Sequence, residues 1–245
     1  MSLADTLLEV ARSDERAVLF TVLDGPERGR KLLVLLERDE MRGDASAELA
    51  ELAPETRRSG ILEHEGARVY AEVYGPPPRL VAVGAVDTGE AVCAAAKLIG
   101  WHTICVDARA RLATRDRIPS ADELVVEWPE EALAAIAPDR DTAIVVLTHD
   151  EKFDVPALTA ALRTDAFYIG AIGARRTQQR RWERLLEAGV SEEELERIHG
   201  PAGLDLGGDT PAETALAIVT EALAVRAGRS GTPLKTAAGR IHAEA

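Results

Sequence analysis

The sequence contains few aromatic residues, two cysteines and no hydrophobic run long enough to span a membrane. Aromatic residues make up 4% of its 245 residues and hydrophobic residues 46%, so its core must be built from Ala, Val, Leu and Ile, as in helices packed on a parallel sheet. Asp5 and Glu9 argue against a signal peptide. Cys93 and Cys105 form no metal-spaced cluster. These absences predict a cytoplasmic protein with two buried cysteines and no membrane span.

Acidic residues outnumber basic residues. The chain has 42 aspartates and glutamates and 29 lysines and arginines, which gives a net charge of −13. This excess opposes nonspecific binding to nucleic acids and to anionic membranes. Residues 175–184 are a local exception, since they contain one acidic residue and five arginines: Arg175, Arg176, Arg180, Arg181 and Arg184. The stretch is either an anion site or a solvated helix face, and its composition leaves both alternatives open.

A run of three prolines divides the chain into two regions of different pattern. Residues 76–78 cannot continue a helix or a central strand, so we place a domain boundary there. The N-terminal region, residues 1–75, is predicted to be a small α+β domain. Its predicted elements are helices over 3–12 and 44–57 and strands over 16–23, 31–36, 60–64 and 67–74.

The second region alternates between near-continuous aliphatic strands and helices. The predicted strands cover 80–84, 102–106, 123–127, 143–147 and 166–172, and the predicted helices cover 87–99, 129–137, 155–163 and a segment beginning near Ala174. This alternation is typical of a parallel sheet covered on both faces. We predict an α/β fold with a doubly wound, Rossmann-like domain over 76–228, followed by a polar tail over 229–245 that we expect to be mobile.

Two capping boxes mark the start of later helices. Ser191 precedes Glu194 by three residues, and Thr210 precedes Glu213 in the same way, with proline at the first helical position. The helix predicted over 211–226 has a broad apolar face. That face predicts either packing against the sheet or a contact in a homodimer.

A glycine motif follows the first predicted strand of the Rossmann-like domain. Gly84 and Gly89 occupy the first and third glycine positions of the dinucleotide fingerprint G-x-G-x-x-G. The second position holds Val86, whose side chain would obstruct the approach of a pyrophosphate to the backbone, and Asp87 would repel it. The motif therefore indicates the fold and disfavours NAD(P) in its usual position.

Polar residues end two of the other predicted strands. The carboxylate of Asp107 either binds a ribose or another polar group of a ligand, or is held by a nearby arginine such as Arg109. Thr148 and His149 directly follow the strand 143–147 and are expected at the sheet edge where ligands bind in open α/β sheets. His149 either contacts a ligand or transfers a proton, or it makes ordinary hydrogen bonds.

The stretch 168–181 is predicted to be a strand that turns through glycines into a helix. Gly170 and Gly173 leave room for a ligand near the main chain, and Arg175 and Arg176 add positive charge at the N-terminus of the helix. These features are typical of an anion site. The alternative is a tight turn followed by solvated arginines.

No arrangement of residues identifies a catalytic centre. The sequence has no nucleophile elbow, no phosphate-binding lysine loop and no paired carboxylates. Four histidines show no ligand spacing to a partner: His64, His102, His199 and His242. Asp154 is interpreted as the cap of the next helix. We therefore predict neither catalytic nor metal-binding residues.

Four segments carry a resemblance to a known family. They are THDEKFD (148–154), ALR (161–163), YIGAIGARRTQQRR (168–181) and HGPAGLDLGGDTPAETALAI (199–218). In these segments the chain resembles the C-terminal, Rossmann-like domain of the XdhC/CoxI family of xanthine dehydrogenase accessory proteins. The similarity extends over residues 80 to about 226.

The resemblance implies a cofactor-binding chaperone for molybdenum hydroxylases of the xanthine dehydrogenase or CO dehydrogenase type. Family members are implicated in binding the molybdenum cofactor, in its sulfuration with a cysteine desulfurase and in its transfer to the apoenzyme. The phosphate of molybdopterin is then expected near the Gly173 turn, and its ring or dithiolene region near Thr148 and His149. The expected cofactor-binding residues are Gly84, Ala85, Asp87, Thr88, Gly89, Asp107, Thr148, His149, Gly170, Gly173, Arg175 and Arg176.

The sequence also departs from the family. Members typically have a second glycine where this chain has Val86, and they commonly have a cysteine in the N-terminal domain, whereas no cysteine precedes Cys93 here. The N-terminal 75 residues are shortened and diverged, a pattern that also fits a nucleotide-binding paralogue with a changed ligand. Two other functions remain as alternatives, an NAD(P)-dependent oxidoreductase and a regulator that binds only protein partners.

Overall fold

The computed structural model describes residues 2–13, 15–148 and 150–237. The chain divides into two compact units, one running to Pro76 and one from Pro77 to Pro233, and the described residues after Pro233 group with the first. Each unit is built on its own sheet. Among the helices that the structure describes, none is long and apolar enough to cross a membrane.

The first unit contains an antiparallel sheet, one α-helix and one 3-10 helix. Its elements are α1 (Leu3–Val10), β1 (Ala17–Val22), β2 (Lys31–Leu35), β3 (Glu40–Gly43), the 3-10 helix (Ala47–Glu55), β4 (Gly60–His64) and β5 (Ala67–Tyr74). The strands are hydrogen-bonded in the order β3-β2-β1-β5-β4. Successive residues of β1 point to opposite faces, so Val18 and Phe20 pack toward the 3-10 helix, whereas Ala17 and Leu19 pack toward α1.

The small α+β unit is confirmed, and two of its elements differ from the prediction. The helix predicted over 44–57 is a shorter 3-10 helix that contains Pro54, a residue that cannot donate a backbone hydrogen bond. Strand β3 was not predicted because its residues are mostly exposed and show no apolar alternation. The first two predicted strands are present as β1 and β2, which pair in an antiparallel register.

The second unit alternates strands and helices. Its strands are β6 (Arg79–Val83), β7 (His102–Val106), β8 (Glu123–Val125), β9 (Thr142–Val146), β10 (Tyr168–Ala171) and β11 (Ile198–His199), and its helices are α2 (Asp87–Leu98), α3 (Pro129–Ile136), α4 (Glu151–Leu162), α5 (Arg175–Glu187), α6 (Glu192–Leu195) and α7 (Pro211–Arg226). The sheet is parallel and has the order β8-β7-β6-β9-β10-β11. Counted within the unit this is 3-2-1-4-5-6, the order of the Rossmann fold. The predicted doubly wound fold is confirmed.

Both faces of the parallel sheet are covered by helices. Leu80 and Ala82 of β6 face a core shared with α2 and α7, and Val81 and Val83 face a core shared with α3, α4 and α5. Helix α7 contributes Ile218 among other residues to the first core. Its apolar face therefore packs inside the unit, and the homodimer stays a prediction.

Helix α4 begins earlier than the sequence predicted. Its N-cap is Asp150, whose side chain accepts a hydrogen bond from Lys152 N at 3.1 Å. The interpretation of Asp154 as the cap is therefore wrong, since this residue lies inside the helix and its carboxylate is buried. Both capping boxes, at Ser191 and at Thr210, are confirmed.

Candidate functional site

The carboxyl ends of the parallel strands meet at one edge of the sheet, where several predicted site residues lie. Gly84 follows β6, Asp107 follows β7 and Thr148 lies just beyond β9. Strand β6 pairs with β7 on one side and with β9 on the other, so the connection from β6 to β7 and the connection from β9 to β10 run in opposite directions along the sheet. In open α/β sheets ligands bind in the crevice at this reversal.

A cleft of about 920 Å³ lies at this reversal. Its volume falls within the range of about 300–1,000 Å³ that is usual for small-molecule sites. It brings together three predicted residues, Asp87, Thr88 and Thr148, with two cationic residues that were not predicted, Arg109 and Lys152. His149 lies outside the described residues, so its contact with a ligand stays a prediction.

Gly84 and Gly89 have the structural roles that the glycine fingerprint requires. Gly84 has a φ of 123°, a conformation that L side chains rarely adopt. A Cβ on Gly89 would overlap the carbonyl oxygen of Gly84, so α2 packs directly against the turn. Val86 is the N-cap residue of α2, provides no side-chain cap and lines the cleft.

Asp107 is buried and anchors the loop beside the cleft. Its Oδ2 accepts hydrogen bonds from Ala85 N and Arg109 Nη2, both at 2.8 Å, and its Oδ1 accepts from Arg109 N and Nε, both at 2.9 Å. Burial raises the pKa of Asp107, but the hydrogen bonds from Arg109 and Ala85 outweigh this effect and hold its pKa below the usual value. The structure thus shows the arginine-held carboxylate, one of the two alternatives for this residue. A carboxylate has about four acceptor positions, and here protein groups fill them.

An aromatic stack beside the cleft was missed by the sequence analysis. The guanidinium carbon of Arg109 lies 5.5 Å from the centroid of the Phe153 ring. Phe153 in turn stacks on Trp128, with centroids 5.1 Å apart and an interplanar angle of 22°. Arg109 is therefore fixed by a carboxylate and by an aromatic ring. Phe153 lies in α4 and Trp128 directly precedes α3. These residues are 25 positions apart in the sequence and meet only in the folded structure.

Thr148 leads from the cleft into a buried polar network. Its hydroxyl donates to Asp154 Oδ1, and Asp154 Oδ2 accepts from Arg181 Nη2 at 2.8 Å. Arg181 Nη1 donates to Gln178 Oε1 at 2.7 Å. Arg181 and Gln178 also donate to carbonyl groups at the end of β10, each at 3.0 Å. Arg181, whose side chain is 3% exposed, thus belongs to the interior and not to a solvated basic face.

The two glycines of the second motif lie in different surroundings. Gly170 is buried in β10, and a Cβ there would lie 2.7 Å from a ring carbon of Tyr168. Gly173 forms the turn into α5 with a φ of 135°, and a Cβ there would lie 3.3 Å from Thr177 Cγ2. Gly170 makes room for an aromatic ring inside the sheet, while Gly173 lies in the turn itself.

Arg175 and Arg176 are exposed in the first turn of α5. The N-cap residue of this helix, Ala174, provides no side-chain hydrogen bond, which leaves the first backbone N–H groups without a capping side chain. Arg176 lines a second hollow of about 430 Å³ together with Arg180, Arg184 and the buried network. Neither Arg175 nor Arg176 is among the described residues that line the cleft.

Cys93 and Cys105 are buried in the core between α2 and the sheet, as predicted. Burial raises the pKa of both thiols, that of Cys105 to about 12. The thiolate is the form that reacts and binds metals. Neither cysteine is therefore suited to carry sulfur near neutral pH.

The strand order, the glycine turn and the sheet-edge cleft define a Rossmann-like domain of the ligand-binding class. The family described as the XdhC Rossmann domain matches residues 80–222. Because this match covers more than half of the chain, the protein belongs to that family. The resemblance carried by residues 148–218 is confirmed.

Three relatives are similar in sequence. Uncharacterized protein YqeB of Escherichia coli K12 is 29% identical over 164 residues, 66% of this chain and 30% of YqeB. Molybdenum cofactor insertion chaperone PaoD of the same strain is 37% identical over 99 residues, 40% of this chain and 30% of PaoD. A probable xanthine dehydrogenase component of Bacillus subtilis 168 is 28% identical over 158 residues, 64% of this chain and 46% of that protein. The chain thus spans less than half the length of each relative.

A solved structure is similar over nearly the whole chain. The crystal structure of a xanthine dehydrogenase from Bacillus halodurans has a TM-score of 0.70 and covers 93% of this chain and 68% of its own, at 21% identity. At this identity the similarity concerns the fold alone.

Proposed function

We propose that this protein is an accessory protein of a molybdenum hydroxylase and that it binds the molybdenum cofactor at the sheet-edge cleft. The observation that carries the proposal is the cleft of about 920 Å³ at the strand reversal of an XdhC Rossmann domain. The names of two relatives support it, since one is a molybdenum cofactor insertion chaperone and the other a probable component of a xanthine dehydrogenase. The client is expected to be of the xanthine dehydrogenase or CO dehydrogenase type.

The residues of the cleft fit the polar heterocycle of the cofactor. Arg109 and Lys152 line it together with Asp87 and Asp150, so its basic and acidic side chains are equal in number, and the start of α2 provides backbone N–H groups. Val86 stands where a fingerprint glycine admits a pyrophosphate. A molybdopterin with a single phosphate does not need that approach.

We place the phosphate of the cofactor at the N-terminus of α5. Ile172 lines the cleft, and the Gly173 turn leads directly from it to Arg175 and Arg176. The helix N-terminus and the two guanidinium groups favour an anion at this position. In this arrangement the cleft holds the heterocycle of the cofactor, and the Gly173 turn holds its phosphate.

The cysteines limit what the chain contributes to sulfuration. Both thiols are buried and their pKa values are raised, so we assign the sulfur-carrying step to a partner, a cysteine desulfurase. This protein then holds the cofactor and passes it to the apoenzyme, as a chaperone and not as an enzyme. Homodimerisation and a cytoplasmic location are part of the same proposal.

An NAD(P)-dependent oxidoreductase, or a diverged nucleotide-binding paralogue, is the second candidate. The 3-2-1-4-5-6 strand order and the roles of Gly84 and Gly89 favour it. Two features oppose it. Val86 obstructs the approach of a pyrophosphate, and the hydrogen bonds from Arg109 occupy the carboxylate of Asp107 that would otherwise bind a ribose. Binding of nicotinamide nucleotides separates the two candidates.

An anaerobic titration tests the proposal. The purified protein is mixed with molybdenum cofactor, NAD(H), NADP(H) or a mononucleotide, and both binding and thermal unfolding are followed. A ligand bound only by the native state adds about 2.7 kcal/mol to the free energy of unfolding at a hundredfold excess over its Kd. A response to the cofactor alone supports the chaperone, whereas a response to a nicotinamide nucleotide alone would make the oxidoreductase the better conclusion.

Replacing Arg175 and Arg176 together with alanine tests the phosphate position. Each charge-assisted hydrogen bond contributes about 1.5–3 kcal/mol, so the double variant is expected to bind the cofactor at least tenfold more weakly. The matched control replaces the adjacent pair Arg57 and Arg58 of the first unit and is expected to leave affinity within about twofold. Unchanged affinity in the first variant would remove this pair of arginines from the site.

A further inference from the structure

Three potential metal ligands meet in the first unit. Glu48 belongs to the 3-10 helix, His64 ends β4 and Glu65 lies in the turn that follows. One ligand atom from each of these residues lies within 4.8 Å of the other two. The sequence analysis missed this cluster because Glu48 reaches the other two residues only through the fold.

The hairpin between β4 and β5 holds His64 and Glu65 in place. His64 pairs with Ala67 across a turn of two residues. These residues, Glu65 and Gly66, have φ values of 50° and 79°, and positive φ at both positions is the pattern that matches the twist of a tight hairpin. Two of the three residues thus come from one tight hairpin turn.

The third ligand is held by the start of the 3-10 helix. The hydroxyl oxygen of Ser46 accepts a hydrogen bond from Glu48 N at 3.3 Å, and the same hydroxyl lies 3.4 Å from Glu48 Oε2. Both Glu48 and Glu65 are exposed. Their carboxylates can therefore move toward a common ion without loss of core packing.

The half-buried His64 has an unsatisfied ring nitrogen. Its Nε2 atom is shielded from solvent and has no hydrogen-bond partner in the part of the chain that the structure describes. Leaving such a group without a partner costs about 1–3 kcal/mol. A bound ion is one of the established explanations for an unsatisfied buried polar atom in a native structure.

We propose that Glu48, His64 and Glu65 bind one divalent transition-metal ion, with Zn²⁺ as the best match. An imidazole ligand favours zinc and its neighbours over magnesium and calcium, which prefer oxygen ligands. Zinc bonds of about 2.0–2.2 Å place tetrahedral ligand atoms about 3.4 Å apart, a separation that the exposed carboxylates can reach by side-chain rotation. Three protein ligands leave the fourth position to water or to a ligand atom. This site is independent of the cofactor cleft.

A competition titration with a chromophoric zinc chelator tests the site on the full-length protein after removal of any affinity tag. We expect one Zn²⁺ per chain. His64→Gln, and Glu48→Gln combined with Glu65→Gln, are each expected to weaken zinc binding at least tenfold. Loss of an outer-shell partner alone already costs about 10–100-fold in metal affinity.

Two control variants match these changes. Glu63→Gln removes an exposed carboxylate next to His64 on the opposite face of β4. His102→Gln removes a histidine of the second unit that pairs with Glu123. Both are expected to keep zinc affinity within about twofold.

Thermal unfolding gives a second readout, because zinc bound only by the native chain raises Tm. We expect zinc to raise the Tm of the wild type and of the two control variants, but not that of the two site variants. Thermal unfolding without metal checks that the site variants are folded. The double glutamate variant keeps His64, so it remains informative if the histidine variant folds poorly. A wild-type chain that binds no stoichiometric zinc, or site variants with unchanged affinity, would overturn the proposal.

Discussion

Val86 occupies the second glycine position of the dinucleotide fingerprint. The flanking glycines keep their structural roles, since Gly84 adopts a positive φ and Gly89 packs against it. The branched side chain of Val86 lines the cleft at the N-terminus of α2. The expectation that this chain does not bind NAD(P) in the usual position thus rests on one side chain, since the backbone of the turn is retained.

The variant Val86→Gly is expected to gain affinity for nicotinamide nucleotides at least tenfold relative to the wild type. Glycine is well tolerated at an N-cap, so the start of α2 should persist. Calorimetric titration with NAD(H) and NADP(H) measures the change.

The control for this prediction is Val126→Gly, the same chemical change at an exposed valine outside the cleft lining. It should bind no more nucleotide than the wild type. If Val86→Gly also fails to bind, the steric explanation is insufficient, and the engagement of Asp107 by Arg109 becomes the main obstacle to a ribose.

Residue roles could be predicted where they depend on local backbone. The fingerprint spacing identified Gly84 and Gly89, and the strand end identified Asp107. The surroundings of Gly170 could not be predicted, because the Tyr168 ring covers it and strand alternation alone does not show where a ring folds back. The partners of Asp154 depend on Arg181 in a later helix.

At the scale of elements, α5 combines an interior face with a basic surface. Arg181 and Gln178 attach the helix to the end of β10 and to Asp154 of α4. Arg175, Arg176 and Arg180 are exposed. Arg181 therefore fits neither alternative for the arginine-rich stretch, while the anion site at Arg175 and Arg176 stays a prediction.

Breaking the ion pair inside this helix contact is expected to be strongly destabilising. Asp154→Asn removes the charge that compensates the buried guanidinium of Arg181, and loss of one partner of a buried pair costs about 3–5 kcal/mol. Urea unfolding measures this free energy. A loss below about 1 kcal/mol would mean that Arg181 is solvated in solution.

The exposed neighbour gives the control for this helix. Arg180→Met removes a guanidinium group one residue away on the surface, and surface changes usually alter stability by no more than about 0.5 kcal/mol. A double variant, Asp154→Asn with Arg181→Met, is expected to recover part of the loss because no uncompensated charge remains buried.

Element types were predictable from periodicity, whereas several boundaries were not. Helix α4 starts at Glu151 because Asp150 caps it, although Pro156 lies within its sequence. The edge strand β11 has two residues and leaves no pattern in the sequence. Short or exposed elements are defined by their neighbours and not by their own residues.

At the scale of the molecule, the alternation of strands and helices was enough to predict a doubly wound sheet. Three features required long-range contacts that the sequence does not display: the stack of Trp128 on Phe153, the position of Arg176 in a second hollow beside the buried network, and the meeting of Glu48 with His64. The fold was thus more predictable than the site.

Several carboxylates of the second unit have a pKa below the usual value. The hydrogen bond from Lys97, followed by those from Thr103, lowers the pKa of Asp122 to about 2. Burial raises the pKa of Asp107, but hydrogen bonds from Arg109 and Ala85 outweigh this effect and lower its pKa. Burial likewise raises the pKa of Glu221, and hydrogen bonds from His199, Tyr168 and Gly203 outweigh it and lower the pKa of this residue as well. A carboxylate with a depressed native pKa stabilises the fold above its unfolded pKa of about 4, and this contribution is lost as pH falls through the native value.

We therefore expect the free energy of unfolding to fall between pH 4 and pH 2, where the 29 basic residues also become unopposed. The side chain of Asp122→Asn keeps an acceptor oxygen for Thr103 but cannot titrate. The variant should therefore lose less free energy of unfolding between pH 4 and pH 2 than the wild type does. We expect a difference of about 1 kcal/mol, because the partly exposed pair of Asp122 and Lys97 is screened by solvent. Urea unfolding at a series of pH values measures both curves. Asp116→Asn, which removes the same charge from an exposed position, should retain the wild-type slope. Parallel curves for the wild type and Asp122→Asn would show that this carboxylate does not carry the acid sensitivity.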